Sequence, residues 1–274
     1  MKVLWKKSGH VEVAGKSLEY ACQGPPPAES PTIVLLHEGL GSTSLWRDFP
    51  LQLAQATGYG VFVFSRSGYG QSDLAELPRP LDYMTREAVD VLPVLLDAIG
   101  LQRGVLIGHS DGATIAAIYS GSIADYRLRG IVLMAPHFFT EQKALDAIAA
   151  TRIEFDRGGL RERMQKYHRD PENTFYGWND SWLHPDFKNW NVTDVIDYIR
   201  VPVLAIQGQE DQYGTLAQIT ELESRCYAPV DTLILEQCRH SPFIDQESTV
   251  LQGITTFCER IENMEAATHG GSSS

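Results

Sequence analysis

Six short runs of the chain are almost continuously apolar: residues 32–37, 60–65, 104–109, 130–135, 201–208 and 231–236. They are rich in Val, Ile and Leu and lack the alternation of a half-exposed strand, so they read as strands covered on both faces. Amphipathic stretches at 45–57, 83–99, 112–120, 216–227 and 249–262 read as helices, most of them lying between those runs. Strand–helix alternation of this kind predicts an α/β fold with a doubly wound, mostly parallel sheet. Two earlier segments, HVEV and SLEYAC, are short and alternate in polarity. They predict an antiparallel edge hairpin and bring the sheet to about eight strands.

One region breaks the rhythm. Residues 137–200 hold no strand candidate, and they end in helical patterns and the segment FYGWNDSWLHPDFKNW. The expected organisation is a core of 1–136 and 201–264, a helical cap insertion at 137–200, and a disordered tail at 265–274 that ends in GGSSS.

Composition narrows the partners. Hydrophobic residues make up 43% of the 274, enough for a sizeable core, and the formal net charge is -12. With no basic run, nucleic acid and anionic membranes are poor partners on electrostatic grounds. No stretch approaches the roughly 18 apolar residues of a membrane helix, and the N-terminal segment lacks the apolar region of a signal peptide. Cys22, Cys226, Cys238 and Cys258 form no CxxC pair. A cytoplasmic chain with reduced thiols is expected, acting without metal or other cofactor on a small-molecule substrate.

The segment VLIGHSDGAT places Ser110 beside Asp111 between two glycines. A nucleophile on a tight strand-to-helix turn needs small residues two before and two after it. Centred on Ser110, those positions are Gly108 and Gly112; centred on Asp111, they become His109 and Ala113, a poor fit. Ser110 is therefore the expected tip. A strand precedes it, and a helix follows whose N-terminus favours developing negative charge.

A serine hydroxyl needs a base. Of eight histidines, His37 and His109 lie at or beside strand ends and His269 in the expected tail. His10, His137, His168 and His184 follow no acid in a plausible strand-end position. His240 follows the strand at 231–236 and precedes the last helix, and Asp211 lies in the loop after the strand at 201–208. The order Ser110, Asp211, His240 suits a nucleophile–acid–base triad. Glu210 is the rival acid, with its side chain facing the other way in an extended segment. The glycine-rich loop LLHEGLGS is the expected source of one oxyanion donor, the N–H of Leu40, with Glu38 and Gly39 as alternatives; the N–H of Asp111 is the other.

With these residues in view, the chain resembles the small bacterial serine esterases and lactonases of the α/β-hydrolase kind, and is similar to enol-lactone hydrolases. HEGLGS, SRSGYGQSD, GHSDG, GQEDQYG and CRHSP stand where the family has its oxyanion loop, arginine–glycine turn, elbow, acid and histidine. Glu38 departs from the pattern, since glycine is common there, and so does Asp111, where uncharged residues are common. Dehalogenases and epoxide hydrolases of the same fold carry aspartate at the elbow tip, and Ser110 argues against both. The resemblance implies hydrolysis of a small or medium, largely apolar ester or lactone through an acyl-enzyme. Two alternatives remain: a carbon–carbon bond hydrolase of a ring-cleavage product, and a catalytically silent ligand-binding scaffold. Trp178, Trp182, Phe138 and Tyr176 are the expected substrate-binding residues, with Phe139, Phe175 and Trp190 as further candidates. Arg66 and Asp73 are expected to pin the loop after the strand at 60–65 rather than to touch substrate.

Overall fold

The computed structural model describes residue 5 and residues 7–270. The sheet has eight strands in the order β1-β2-β4-β3-β5-β6-β7-β8. The edge hairpin is β1 (Ser8–Val13) and β2 (Lys16–Gln23), and β2 pairs antiparallel with β4 (Gly60–Phe64). The other strands, β3 (Thr32–Leu36), β5 (Gly104–His109), β6 (Leu128–Met134), β7 (Val203–Gly208) and β8 (Val230–Leu235), run parallel with β4. The chain steps from β3 to β4 on one side and then across to β5 on the other. That reversal opens a crevice at the carboxyl ends of β3 and β5, where ligands bind in open sheets of this kind.

The apolar runs lack polar alternation because the sheet has a core on each face. Val34, Leu36, Phe62, Phe64 and Leu106 belong to one core, and Ile33, Leu35, Val61, Val63 and Ile107 to the other. Period-two alternation sends successive residues to opposite faces, and both are apolar. β8 departs from the expectation: most of its residues are only partly buried, because it is the outer edge of the sheet.

The helices are α1 (Phe49–Thr57), α2 (Tyr83–Arg86), α3 (Leu92–Ile99), α4 (Asp111–Ser122), α5 (Gln142–Asp156), α6 (Gly159–Met164), α7 (Pro171–Trp182), α8 (Ala217–Arg225), α9 (Pro242–Asp245) and α10 (Glu247–Gly270). The single helix expected at 83–99 is interrupted by a wide turn at Glu87–Val91. Pro93 explains the break: it has no N–H to offer the carbonyl one turn back, and its ring crowds that carbonyl. α10 runs past the point where a disordered tail was expected to begin. Glu265 receives Arg129 at 2.9 Å and Arg103 at 3.4 Å, which ties this turn to the amino ends of β6 and β5. Residues 271–274 lie outside the described residues.

Between β6 and β7 the chain forms α5, α6, α7 and two 3-10 turns, Pro185–Asn189 and Thr193–Tyr198. Asp170 caps α7 by accepting the amides of Glu172 and Asn173 at 3.0 and 2.9 Å, with Pro171 pre-set for the first turn. α7 stacks Phe175 on Phe155 of α5, with ring centroids 3.9 Å apart. No helix among the described residues is long and apolar enough to cross a membrane.

Candidate active site

Ser110 stands at the turn between β5 and α4 with φ 53 and ψ -119, a conformation L-residues avoid. The strain falls on Ser110, while Asp111 opens the helix. Two close approaches enforce the turn. A Cβ at Gly108 would collide with the carbonyl oxygen of Gly112, and one at Gly112 with that of Leu36. The Ser110 amide is held by the carbonyl of Met134 at 2.9 Å, which fixes the turn to β6.

His240 and Asp211 meet at the far side of the crevice. His240 Nδ1 lies 2.9 Å from both carboxylate oxygens of Asp211. Gln207 Nε2 donates to Oδ2 at 2.8 Å, and the amides of Tyr213 and Gly214 donate to Oδ1 at 2.7 and 3.3 Å. Burial alone would raise the Asp211 pKa. The His240 hydrogen bond and charge, then the Tyr213 amide and Gln207, instead hold it well below the usual carboxylate range. Glu210 is exposed and takes no part in this cluster. Its backbone contributes, however: its amide donates to the Cys238 carbonyl at 2.9 Å and so ties the acid loop to the histidine loop.

The glycine-rich loop after β3 is fixed from both sides. Arg66, buried beneath it, donates Nη1 to the carbonyl of His37 and Nη2 to that of Glu38, the latter at 3.1 Å. From the other side, His168 Nε2 lies 3.0 Å from the Leu40 carbonyl, and its Nδ1 accepts the Gly70 amide at 3.0 Å. The Gly70 bond leaves the ring proton on Nε2, so His168 donates to Leu40. Asp73 holds the Ser17 amide at 2.8 Å. Asp73 thus anchors the loop after β4 as expected, whereas the Arg66 side chain is spent on the loop after β3. His168 carries no local sequence signal for its part, since its partners are remote in the chain.

These elements enclose a cavity of about 260 Å³. Ser110, Asp111, His240, Glu38, Gly39 and Leu40 line it, together with Trp178 and Trp182 of α7. Two expected contacts are absent. Phe138 is fully buried in the core and does not reach the cavity. Tyr176 lies on the other side of α7, with its hydroxyl donating to Asp156 at 3.3 Å and Arg152 over its ring. Helical phase explains this: Trp178 and Trp182 are one turn apart on the inner face, and Tyr176 is rotated away from both. Phe175 packs on Phe155, and Trp190 stacks on Phe187. Sequence reasoning missed His109, His137, Ile148 and Tyr213, all of which line the cavity. Tyr213, just past Asp211, and His109, just before Ser110, lie at strand ends and had a local signal.

Burial lowers the pKa of His137 to about 4, helped by repulsion from His240. His37 and His168 are also lowered, mainly by burial. These rings are neutral when folded, but each protonates near 6.5 once unfolded. Protons therefore bind the unfolded chain first, and stability is lost as pH falls from 6.5 toward about 4. For His137 the difference corresponds to about 3 kcal/mol. Urea midpoints are expected to drop steeply across that window, and less steeply in His137→Gln. A midpoint constant from pH 7 to 4.5 would contradict neutral burial.

The sequence pattern of the alpha/beta hydrolase family matches residues 33–252. Epoxide hydrolase B of Mycobacterium tuberculosis is 30% identical over 118 residues, 43% of this chain, and the match spans 32% of that enzyme's length. The bifunctional esterase/perhydrolase DCH of Acinetobacter calcoaceticus is 24% identical over 215 residues, 68% of this chain and 76% of that one. Among solved structures, the enol-lactonase from Burkholderia xenovorans LB400 superposes with a TM-score of 0.71 at 18% identity, covering 91% of this chain and 99% of the other. A thermophilic esterase from Thermogutta terrifontis gives 0.73 at 16% identity, covering 93% and 99%. The two structures agree with this one in fold. Together with the match over residues 33–252, the sheet and its strand-to-helix turn lead to one conclusion: the chain belongs to the alpha/beta hydrolase family.

Proposed function

We propose that the protein is a serine hydrolase that cleaves a small or medium, largely apolar carboxylic ester or lactone through an acyl-enzyme. The observation that carries this reading is the pairing of His240 Nδ1 with the Asp211 carboxylate at 2.9 Å, on the cavity that Ser110 also lines. Asp211 fixes the proton of His240 on Nδ1, which leaves Nε2 as the base. Ser110 Oγ attacks the carbonyl carbon while Nε2 takes its proton. The carbonyl oxygen becomes an oxyanion, received by the N–H of Asp111 at the N-terminus of α4 and that of Leu40 on the loop after β3. Collapse breaks the C–O bond, and the leaving alcohol takes the proton from His240. Water, deprotonated by the same ring, then releases the acid and restores Ser110.

Residues 137–200 act in this reading as a cap, with Trp178 and Trp182 excluding water and shaping the acyl or alcohol site. The cavity size suits a small ligand. The relatives named as esterases and an enol-lactonase support the ester or lactone class over carbon–carbon cleavage. Cys22, Cys226, Cys238 and Cys258 are free thiols, in keeping with a cytoplasmic enzyme.

A panel of short-chain p-nitrophenyl esters, γ- and δ-lactones and vinylogous 1,5-diketones tests the reaction class. Turnover of the esters or lactones, with the diketones at least tenfold slower in kcat/KM, is expected. Turnover confined to the diketones would move the protein to the carbon–carbon bond hydrolases, and turnover of none would favour a ligand-binding scaffold.

A further inference from the structure

The cavity has an unbalanced set of charges. Glu38 and Asp111 line it, and among the described residues no lysine or arginine does. The other titratable residues on its wall are His109, His137, Tyr213 and His240. Asp111 is offset from inside the fold: Tyr83 donates its hydroxyl to Oδ2, and the Arg66 guanidinium lies 4.0 Å from the same atom. Its second oxygen, Oδ1, is buried without a hydrogen-bond partner. Glu38 makes no such close pair, and the Arg66 charge reaches its carboxylate only from farther away. Arg66 reaches the Glu38 backbone carbonyl, not its carboxylate. His109 offers Nδ1 at 3.6 Å, beyond hydrogen-bond range, and spends Nε2 on the His240 carbonyl at 2.6 Å. Burial would raise the Glu38 pKa, yet His109, then its own backbone amide and the more distant Arg66 charge, hold it below the ordinary value, so the carboxylate is ionised at neutral pH.

An ionised carboxylate in this position opposes the reaction. Glu38 is two residues from Leu40, on the loop that receives the oxyanion. Like charges about 6 Å apart at an effective dielectric near 20 correspond to roughly 100-fold in rate. A cation brought in by the substrate would remove that opposition, because its charge offsets that of the carboxylate. Trp178, Trp182 and Tyr213 line the same cavity, and aromatic rings around a site attract a quaternary or primary ammonium. Trp178 is packed directly on the loop, since a Cβ at Gly39 would collide with its indole ring.

Resting on the serine-hydrolase reading, we propose that this cavity selects its substrate by charge: esters or lactones with a cationic nitrogen near the carbonyl are preferred, anionic ones are rejected, and Glu38 sets the preference. The test uses three p-nitrophenyl esters of matched shape: 4-(trimethylammonio)butyrate, 5,5-dimethylhexanoate and 4-sulfobutyrate. Each kcat/KM is normalised to alkaline hydrolysis of the same ester. The expected order is cation, neutral, anion, with the cation at least tenfold above the anion. Glu38→Gln should cut that ratio at least fivefold, and Glu38→Asp, which keeps the charge, should retain most of it. Equal or reversed rates in the native protein would overturn the proposal. An unchanged ratio in Glu38→Gln with all three esters slowed alike would also overturn it, and would make Glu38 a residue that acts through His109 on His240. Failure on all three esters, with Ser110 not labelled by an organophosphate, overturns the serine-hydrolase reading and this inference with it. Labelling of Ser110 with no charge preference overturns the inference alone.

Discussion

Replacing Ser110 by alanine is expected to lower kcat/KM on the best ester roughly 10³-fold or more, which is about 4 kcal/mol of transition-state stabilisation. The fold should survive. Alanine keeps the Cβ and therefore the same strained backbone that Ser110 adopts at φ 53. The turn is fixed by the Ser110 amide and by the glycines at 108 and 112, not by the hydroxyl. Residual turnover would come from the oxyanion donors and substrate positioning that remain. The measurement is kcat/KM together with the urea midpoint of the purified variant. Near-native turnover by a folded Ser110→Ala protein would remove the nucleophile from the account.

Asp211→Asn should be almost as damaging, lowering kcat roughly 10³- to 10⁴-fold with KM little changed. The reason lies in the donors around the carboxylate. Oδ2 faces the Gln207 amide nitrogen, and Oδ1 faces the amides of Tyr213 and Gly214. An asparagine must turn its own NH₂ toward one of these donors, and toward His240 as well. The imidazole then loses the acceptor that keeps its proton on Nδ1, and with it the free Nε2 that the reaction requires. Glu210→Gln removes a charge from the same loop but from an exposed position, and kcat is expected to stay within about twofold. If Glu210→Gln were the harmful change and Asp211→Asn the mild one, the acid would be misassigned.

What could be read in the chain follows from how locally each feature is encoded. The strands were legible because both faces of the sheet bury apolar side chains, so Ile33 to Leu36 and Val61 to Phe64 need no polar alternation. The turn at Ser110 was legible because two backbone collisions exclude any side chain at positions 108 and 112. Asp211 and His240 were legible as residues just past strand ends, in the right order. The lining of the cavity was not, because it depends on helical phase and on long-range packing. Trp178 and Tyr176 are neighbours in an aromatic segment, but only the start of α7 at Pro171, set by the Asp170 cap, decides which faces inward. His168 on Leu40 and His109 on His240 join residues 128 and 131 positions apart, and no periodicity announces either. The extent of α10 hinged on ion pairs from Glu265 to Arg103 and Arg129, which composition alone cannot place.

If Ser110 carries the acyl group, an adduct must form on it during turnover. The protein should be treated with a small organophosphate or quenched in acid during turnover of a slowly deacylated ester, then digested and read by mass spectrometry. One added acyl or phosphoryl group is expected, on Ser110, and it should be lost in Ser110→Ala. A modification on Asp111, or steady turnover with no adduct on any residue, would contradict it.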